Sequence, residues 1–341
     1  MSDLRINNIT DKVGGNGPVI AGVSTVASTG AFTVPVGPTE YRGGRGRAVI
    51  HCGGYPSAIN TLNYVTIATT GNAQDFGDAR DGGYARGACS SSTRGIIGGG
   101  AGSSYITRIE YVTTSSSGGG NDFGDLGRRG RFINATSNNT RGTFMGGHWP
   151  GYTPAASNII DFVTIASTGD AADFGDLILG RSANGCCSSP TRGFTAGSQG
   201  FGPAFPLTNT IESIVFSTTG NATTFGNLTA VSQSQGSFSS TTRGLWGGGN
   251  PGSITNRIDY VTLTTSGNAL DFGDLTLART SLRGTSSLVR GLFVGGYVSP
   301  LSKNIIEYVT IASTGNAVDF GDITAGGYKA ASLSDCHGGI G

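Results

Sequence analysis

The chain has 341 residues, of which 60 are glycine, and its formal net charge is +1. Only 13% of the residues are charged, and Ser, Thr and Asn are abundant, so the composition is typical of a turn-rich β protein and excludes long helices. No run of Lys or Arg predicts a nucleic-acid or anionic-membrane surface, and no apolar stretch reaches the ~20 residues that span a bilayer. Residues 1–12 contain no apolar signal core, so we expect a soluble, unprocessed chain.

The first 44 residues stand outside the pattern that fills the rest of the chain. They contain the apolar, glycine-interrupted segments "LRINNIT" and "GPVIAGVSTVASTGAFTVPVGPTEY" and continue into "RGGRGR". Short apolar segments separated by Gly and Pro indicate short strands and a linker. We therefore expect a β-rich N-terminal arm over residues 1–44 and one domain over residues 45–341.

Six copies of one unit fill this domain. Its best copies read as residues 304–323 do, "NIIEYVTIASTGNAVDFGDI", and they are linked by S-S-x-T-R-G to an apolar stretch that ends in Gly-Gly. One phenylalanine per copy recurs after 47 to 51 residues: Phe76, Phe123, Phe174, Phe225, Phe272 and Phe320. A fixed period of this length indicates a repeat architecture.

Each unit predicts four strands, which we name a to d in their order along a blade. Strand a is a small-residue segment such as residues 85–91, and strand b follows the arginine, as in residues 95–98. Strand c is the β-branched and aromatic run, such as residues 160–166, whose residue types suit a pleated buried surface. Strand d follows the S-T-G-N turn and contains D-F-G-D.

A four-stranded unit of about 50 residues, with a glycine pair after strand b and an aromatic residue in strand c, resembles the kelch repeat, whose units form β-propeller blades. The unit departs from the kelch pattern in having Phe where strand d commonly has Trp. Residues 47–54 predict a strand b with no strand a before it, and residues 330–337 a strand a with no strand b after it. We therefore expect an all-β, six-bladed kelch-like β-propeller that the C-terminal strand closes.

The D-F-G triplet binds magnesium in protein kinases, but here it recurs from blade to blade. The chain has three lysines and neither a glycine-rich phosphate loop with its lysine nor an H-R-D catalytic loop. A catalytic triplet occurs once in an enzyme. The repetition therefore favours a structural role over phosphoryl transfer.

Acidic residues recur in three columns of the repeat. The two aspartates of D-F-G-D offer oxygen ligands for calcium, but we favour a role in fixing turns and in pairing with the arginine that opens strand b, at Arg94, Arg141, Arg192, Arg243 and Arg290. The strand-c column comprises Glu110, Asp161, Glu212, Asp259 and Glu307, with Asn63 in the first copy. No single carboxyl pair stands out as glycosidase machinery, and we expect no catalytic residue, no bound metal and no cofactor.

The five cysteines lack paired C-x-x-C spacings, so we expect free thiols from a reducing compartment. His51 and Cys52 of one strand, and Cys336 and His337 of another, are expected to meet in the closing blade. Adjacent strand residues point to opposite faces, so ordinary packing is favoured over a metal site there. Two further cysteines are expected to line the central channel: Cys89 and Cys187.

In such a blade the a-b and c-d turns share one face of the propeller (the turn face), and the b-c and d-a loops share the other (the loop face). The c-d turn S-T-G-N-A is nearly constant, whereas the b-c loops vary in length and content. Recognition residues concentrate on loops that a rigid scaffold holds, although loop aromatics also serve to pack their own loops. The candidate binding residues are Tyr105, Trp149, Tyr152, Phe201, Phe205 and Tyr297 in b-c loops, and Arg128, Arg129, Arg131, Arg181 and Arg283 in d-a loops.

The repeat, the C-S-S-x-T-R-G link and the arm together resemble kelch-like structural proteins of tailed bacteriophages, particularly cyanophages. The resemblance implies a non-enzymatic virion protein, made in the host cytoplasm and placed in a tail fibre or as capsid decoration. It implies that residues 1–44 dock on other virion proteins and are the place where copies of the chain would associate. The loop face would then meet a host-surface glycan, a receptor or a neighbouring protein. The alternative is a carbohydrate-binding propeller, either a lectin or a glycan-active enzyme.

Overall fold

A computed structural model describes residues 46–54, 57–149, 156–199 and 207–340. Within these ranges there is no helix, and the strands form six four-stranded antiparallel sheets arranged as a six-bladed β-propeller. Each sheet has the strand order a-b-c-d. The predicted fold is therefore confirmed, whereas the predicted N-terminal arm lies outside the described residues.

The strand bounds repeat closely from blade to blade. In blades 1 to 6, strand a spans Ala331–Ser334, Gly87–Ser90, Asn134–Ser137, Gly185–Ser188, Gly236–Ser239 and Arg283–Ser286. Strand b spans Arg47–His51, Arg94–Gly98, Arg141–Met145, Arg192–Ser198, Arg243–Gly247 and Arg290–Val294. Strand c spans Thr61–Thr66, Arg108–Thr113, Ser157–Thr164, Thr208–Val215, Arg257–Thr262 and Ile305–Thr310. Strand d spans Gln74–Asp78, Asn121–Asp125, Ala172–Arg181, Thr223–Asn227, Leu270–Asp274 and Val318–Asp322, and the b-c loop of blade 6 adds a hairpin of Tyr297–Val298 and Leu301–Ser302.

The apolar core lies between neighbouring blades. Phe76 of blade 1 is buried and packs with Leu62 of its own blade and with Ile97 and Val112 of blade 2. The Tyr64 ring meets the Phe76 ring edge to face, with 6.2 Å between the ring centroids. The phenylalanine of D-F-G therefore packs between blades, and the burial of this ring stabilises the contact of blade with blade.

Close approach between blades explains the glycine that follows the arginine of strand b. A β-carbon at Gly142 would lie 2.7 Å from the sulfur of Cys89 in the preceding blade, and one at Gly291 would lie 1.8 Å from Cε2 of Phe238. Contacts this short do not occur, so these positions have no room for a side chain. Cys89 and Cys187 border the central channel as predicted, but their sulfurs contact this glycine column of the next blade.

The two ends of the domain share blade 1. Ala331–Ser334 pairs antiparallel with Arg47–His51, which confirms the predicted closure by the C-terminal strand. The six a strands contact one another around the axis and form the channel wall. Closure leaves no open seam between the first and last blades and so protects the edges of the sheets at that point.

The expected meeting of His51 and Cys52 with Cys336 and His337 is wrong. His51 pairs with Ala331 at the start of strand a, whereas Cys336 follows the end of that strand. Antiparallel pairing therefore places the two pairs at opposite ends of the blade. Among the described residues, no group of three or more His, Cys, Asp or Glu side chains is arranged to hold a metal ion.

The segment after the closing strand crosses the turn-face end of the channel. Nε2 of His337 lies 3.2 Å from Oγ of Ser137 and 3.1 Å from the carbonyl oxygen of Ser90, in two different blades. The backbone N–H of Gly338 donates to the carbonyl oxygen of Ser239 in a third blade, at 3.1 Å. Residues 337 and 338 thus tie three blades together across this end of the axis.

Candidate functional site

The turn face is occupied by contacts that join the blades. The N–H of Gly118, in the c-d turn of blade 2, donates to the carbonyl oxygen of Phe76 at 2.8 Å, and the N–H of Gly120 donates to that of Asp78 at 2.8 Å. The equivalent glycine bond occurs at all six interfaces, with donors Gly71, Gly118, Gly169, Gly220, Gly267 and Gly315 at 2.7–3.0 Å. The constancy of the S-T-G-N-A turn and of D-F-G-D therefore reflects one repeated interface between blades.

The arginines that open strand b do not pair with the D-F-G-D aspartates, so that prediction is wrong. Nη1 of Arg94 donates to the carbonyl oxygen of Ile165 in the next blade at 2.9 Å, and its guanidinium lies 4.3 Å from the Tyr111 ring centroid. The aromatic ring of strand c directs the planar guanidinium towards the backbone of the neighbouring turn. The aspartates Asp75 and Asp78 remain exposed.

The strand-c acids also hold neighbouring blades together. Glu307 accepts a hydrogen bond from the backbone N–H of Thr276, in the loop that leaves blade 5, at 3.0 Å. Asn63 does the same for Thr324 at 2.9 Å. The repeated acid column therefore has a structural role in closing the start of each d-a loop.

Three of these acids form an ion pair with a buried arginine. The ion pairs are Arg86–Glu110, Arg181–Glu212 and Arg279–Glu307, and no partner has a side chain more than 2% exposed. The blades that have Asp or Asn in this column form no such fully buried pair among the described residues. Because Arg181 is buried in its pair and Arg283 is buried in the channel wall, the expectation that these two arginines belong to the loop face is wrong.

The loop-face mouth of the channel is built by a ring of backbone hydrogen bonds. One residue per blade, two positions before the fixed part of strand a, has a left-handed backbone with φ of 51–58°: Ala85, Phe132, Ala183, Ser234, Ser281 and Lys329. Each N–H donates to the carbonyl oxygen of the equivalent residue in the preceding blade at 2.7–3.1 Å. The ring closes between Ala85 and Lys329. Strained conformations of this kind persist where the surroundings determine them, and the side chains of Ala85, Phe132 and Ala183 pack together at this ring.

A stripe of aromatic and cationic side chains crosses this mouth, and we call it the mouth patch: Tyr105, Arg131, Phe132, Tyr297, Tyr328 and Lys329. The Arg131 guanidinium carbon lies 5.6 Å from the Tyr105 ring centroid and 5.1 Å from that of Phe132. Nζ of Lys329 lies 4.3 Å from the Phe132 centroid and 4.7 Å from that of Tyr328. The rings of Tyr328 and Tyr297 lie 5.0 Å apart.

The charge of the mouth patch has no acidic counterpart within the described residues. Neither Arg131 nor Lys329 forms an ion pair there. Burial, together with the positive charges of Arg131 and Arg283, lowers the pKa of Lys329 to about 8. Lys329 is therefore largely protonated at neutral pH. The patch offers positive charge framed by aromatic rings, a combination suited to anionic and hydroxyl-rich partners.

A polar groove of about 390 Å³ adjoins the patch at Tyr105. Its lining includes Asp81, Arg108 and Asp125. Nη1 of Arg108 pairs with Asp81 at 2.6 Å, and the hydroxyl of Thr107 donates to Asp125 at 2.7 Å. The groove therefore combines an aromatic edge with several hydrogen-bonding groups.

The predicted site residues divide into three groups. Tyr105, Arg131 and Tyr297 belong to the mouth patch, and Arg129 is exposed on a neighbouring loop. Trp149 is only 5% exposed and packs against Gly130, with the Arg128 guanidinium 4.8 Å from its ring centroid, so it supports its loop. The remaining predicted residues lie outside the described residues: Tyr152, Phe201 and Phe205.

Sequence reasoning missed Phe132, Tyr328 and Lys329. They occupy the two columns that contain Tyr84 and Ala85 in blade 2, just before strand a. These columns change residue type from blade to blade, and so do the positions directly before and after them. Variability therefore does not distinguish these residues from their neighbours, and the sequence contains no signal that identifies them.

Comparison of the sequence with protein-family models and with curated proteins finds no match. Within the part of the chain that the structure describes, no helix has the length and apolarity to cross a membrane. A β-propeller serves many functions, so a functional argument must start from the mouth patch and its groove.

Proposed function

We propose that the protein is a non-enzymatic structural component of a bacteriophage virion, in a tail fibre or as capsid decoration, that presents its loop face for recognition. The observation that carries this proposal is the contrast between the two faces. On the turn face, repeated backbone contacts join the blades, whereas the loop face carries the mouth patch and the variable loops. A rigid ring with one variable face is the usual arrangement of a binding module.

The chemistry of the mouth patch suggests the type of partner. Arg131 and Lys329 offer positive charge, and Tyr105 and Tyr297 offer flat apolar surface with a hydroxyl at the edge. Arginine and aromatic residues are enriched where proteins bind one another. A host-surface glycan with acidic groups, a receptor or a neighbouring virion protein would suit this surface. Residues 1–44 would attach the propeller to the particle.

A carbohydrate-binding propeller is the second candidate. The groove beside Tyr105 favours it, because an aromatic edge next to Asp81, Arg108 and Asp125 offers both stacking and hydrogen bonds to sugar hydroxyls. The two carboxylates of this groove already have partners, in Arg108 and in the Thr107 hydroxyl. We therefore place binding ahead of glycan cleavage.

Two measurements test the proposal. Mass spectrometry of purified particles from an infected host should detect the protein in stoichiometric amounts, and its absence would refute the virion role. Particles or purified protein carrying Tyr105→Ala with Arg131→Ala should bind host cells about tenfold more weakly, since contact residues of this kind dominate binding.

The matched control is Leu270→Ala, on an outer strand and 61% exposed. It should leave both binding and thermal stability unchanged. A binding loss of equal size in the control would show that the assay reports folding, and normal binding by the Tyr105→Ala and Arg131→Ala protein would remove the mouth patch from the recognition surface. A glycan array with the same variants separates a lectin from a protein-binding module.

A further inference from the structure

The axial channel contains a cavity of about 70 Å³, enough for several water molecules or one small ion. The a strands of the blades form its wall. The backbone ring at Ala85 narrows its loop-face end, and residues 337 and 338 cross the other end. The cavity is therefore built into the fold, and it is separate from the mouth patch.

Cationic and hydroxyl groups line this cavity, and the described residues of its lining include no Asp or Glu. Arg283, the first residue of strand a in blade 6, is 7% exposed. Its Nε donates to the carbonyl oxygen of Ala330 at 2.9 Å, while no described residue accepts a hydrogen bond from its two terminal nitrogens. No carboxylate in the described ranges forms an ion pair with it.

Arg283 differs from the other buried arginines in having no acidic partner among the described residues. Arg86, Arg181 and Arg279 are each paired with a glutamate. Arg283 is the exception among the buried arginines that the structure describes. Burial lowers its pKa to about 10, which leaves the guanidinium charged at neutral pH. A guanidinium this deeply buried with no carboxylate beside it is stabilised by a counter-charge, which a bound anion can supply.

A second donor lies on the same strand face. Thr285 is two residues after Arg283, so both side chains leave the strand on one side. Thr285 lines the cavity, and its buried hydroxyl has no hydrogen-bond partner among the described atoms. The cavity wall thus offers, on one face of a strand, a guanidinium without a carboxylate partner and a hydroxyl without a hydrogen-bond partner, and both groups can donate to a negatively charged ligand.

We propose that the central channel binds one small inorganic anion, with the Arg283 guanidinium as its charged ligand and the Thr285 hydroxyl as a further donor. The bound anion supplies the counter-charge that the channel wall lacks. It joins blade 6 to blade 1, because Arg283 is already bonded to Ala330 in blade 1. The anion is thus part of the closing interface of the propeller.

The test is thermal unfolding of the full chain in sodium gluconate, whose anion is too large for the cavity, with stepwise replacement by sodium chloride or by sodium phosphate at constant ionic strength. An anion present at 100 times its Kd should raise the wild-type Tm by about 4 °C. Arg283→Met should show no anion-dependent rise, and its Tm in gluconate should equal or exceed that of the wild type. Arg129→Met, an exposed arginine, should behave as the wild type. The difference between chloride and phosphate identifies the class of anion.

Two results would overturn the proposal. One is a wild-type Tm that is the same in all three salts, and the other is an equal rise in wild type and Arg283→Met, which would be a general salt effect. Should Arg283→Met fail to fold, crystals of the wild type grown in bromide and in arsenate, heavy-atom analogues of chloride and phosphate, decide the matter. Anomalous density within hydrogen-bond distance of the Arg283 guanidinium supports the site, and a channel without it refutes the site.

Discussion

Replacing Glu307 by Gln should destabilise the propeller far more than the loss of one hydrogen bond would. The Glu307 side chain is 0% exposed, and it accepts hydrogen bonds from the backbone of Thr276 at 3.0 Å and from Nη1 of Arg279 at 2.5 Å. Glutamine keeps the size and the acceptor oxygen but removes the charge. Arg279, also 0% exposed, would then be a buried cation without a counter-charge. Breaking such a pair costs about 3–5 kcal/mol, which for a domain of this size lowers Tm by about 5–8 °C.

The assay is urea or thermal unfolding followed by circular dichroism, with the double variant Glu307→Gln and Arg279→Met as the matched control. Methionine fills much of the same space without a charge, so the double variant should recover most of the loss. The interface that Asn63 closes supports this expectation, because an uncharged side chain caps Thr324 there. A single variant within about 1 kcal/mol of the wild type, or a double variant no more stable than the single, would refute the argument.

Two other substitutions test separate features. Burial, with the charge of Asp173, raises the pKa of the Asp161 carboxyl to about 6. The native state therefore binds the carboxyl proton more tightly than the unfolded chain does, and the stability of the protein falls as pH rises from about 4 to 6. Asp161→Asn should therefore stabilise the protein at pH 7 by about 1–2 kcal/mol after allowance for solvent screening, and an equal gain in unfolding free energy at pH 4 would contradict this cause. Gly291→Ala places a β-carbon against Phe238 and should lower the free energy of unfolding, measured by chemical denaturation, by about 1–3 kcal/mol. The reverse change at the same column of blade 1, Ala48→Gly, should lower it by less than about 1.5 kcal/mol. Equal losses of unfolding free energy in the two variants would argue against the steric explanation.

The fold could be predicted because every blade repeats the same pattern of residues. The phenylalanine of D-F-G, the arginine of strand b and the constant turn recur at one period, and the period gives the number of blades. The closure followed from two half-blades at residues 47–54 and 330–337. The predicted bounds of strand b lie close to the observed ones because an arginine begins this strand in all six blades.

The side-chain partners were harder to predict. The strand-b arginines prefer an aromatic ring and a backbone carbonyl to the exposed aspartates, and that choice depends on the neighbouring blade. The buried arginines also come from two different columns, since Arg86 immediately precedes strand a while Arg181 and Arg279 lie four residues before it. No fixed spacing marks a pair whose members approach from different loops.

The residues of the mouth patch could also be predicted only in part. Tyr105 and Tyr297 could be proposed because they lie in variable loops, where binding residues concentrate. Phe132 and Lys329 could not, because their direction depends on a left-handed backbone in a short d-a loop. Neither residue is of a type that commonly adopts this conformation, and the hydrogen-bonded ring that imposes it appears only when all six blades are assembled.

The closing of blade 1 has a consequence for synthesis. Strands b, c and d of this blade leave the ribosome first, and their inner strand, Ala331–Ser334, follows only after the five other blades. Until then Arg47–His51 carries an unpaired inner edge, which is the kind of surface that pairs with other chains. Errors in assembly should therefore concentrate on blade 1.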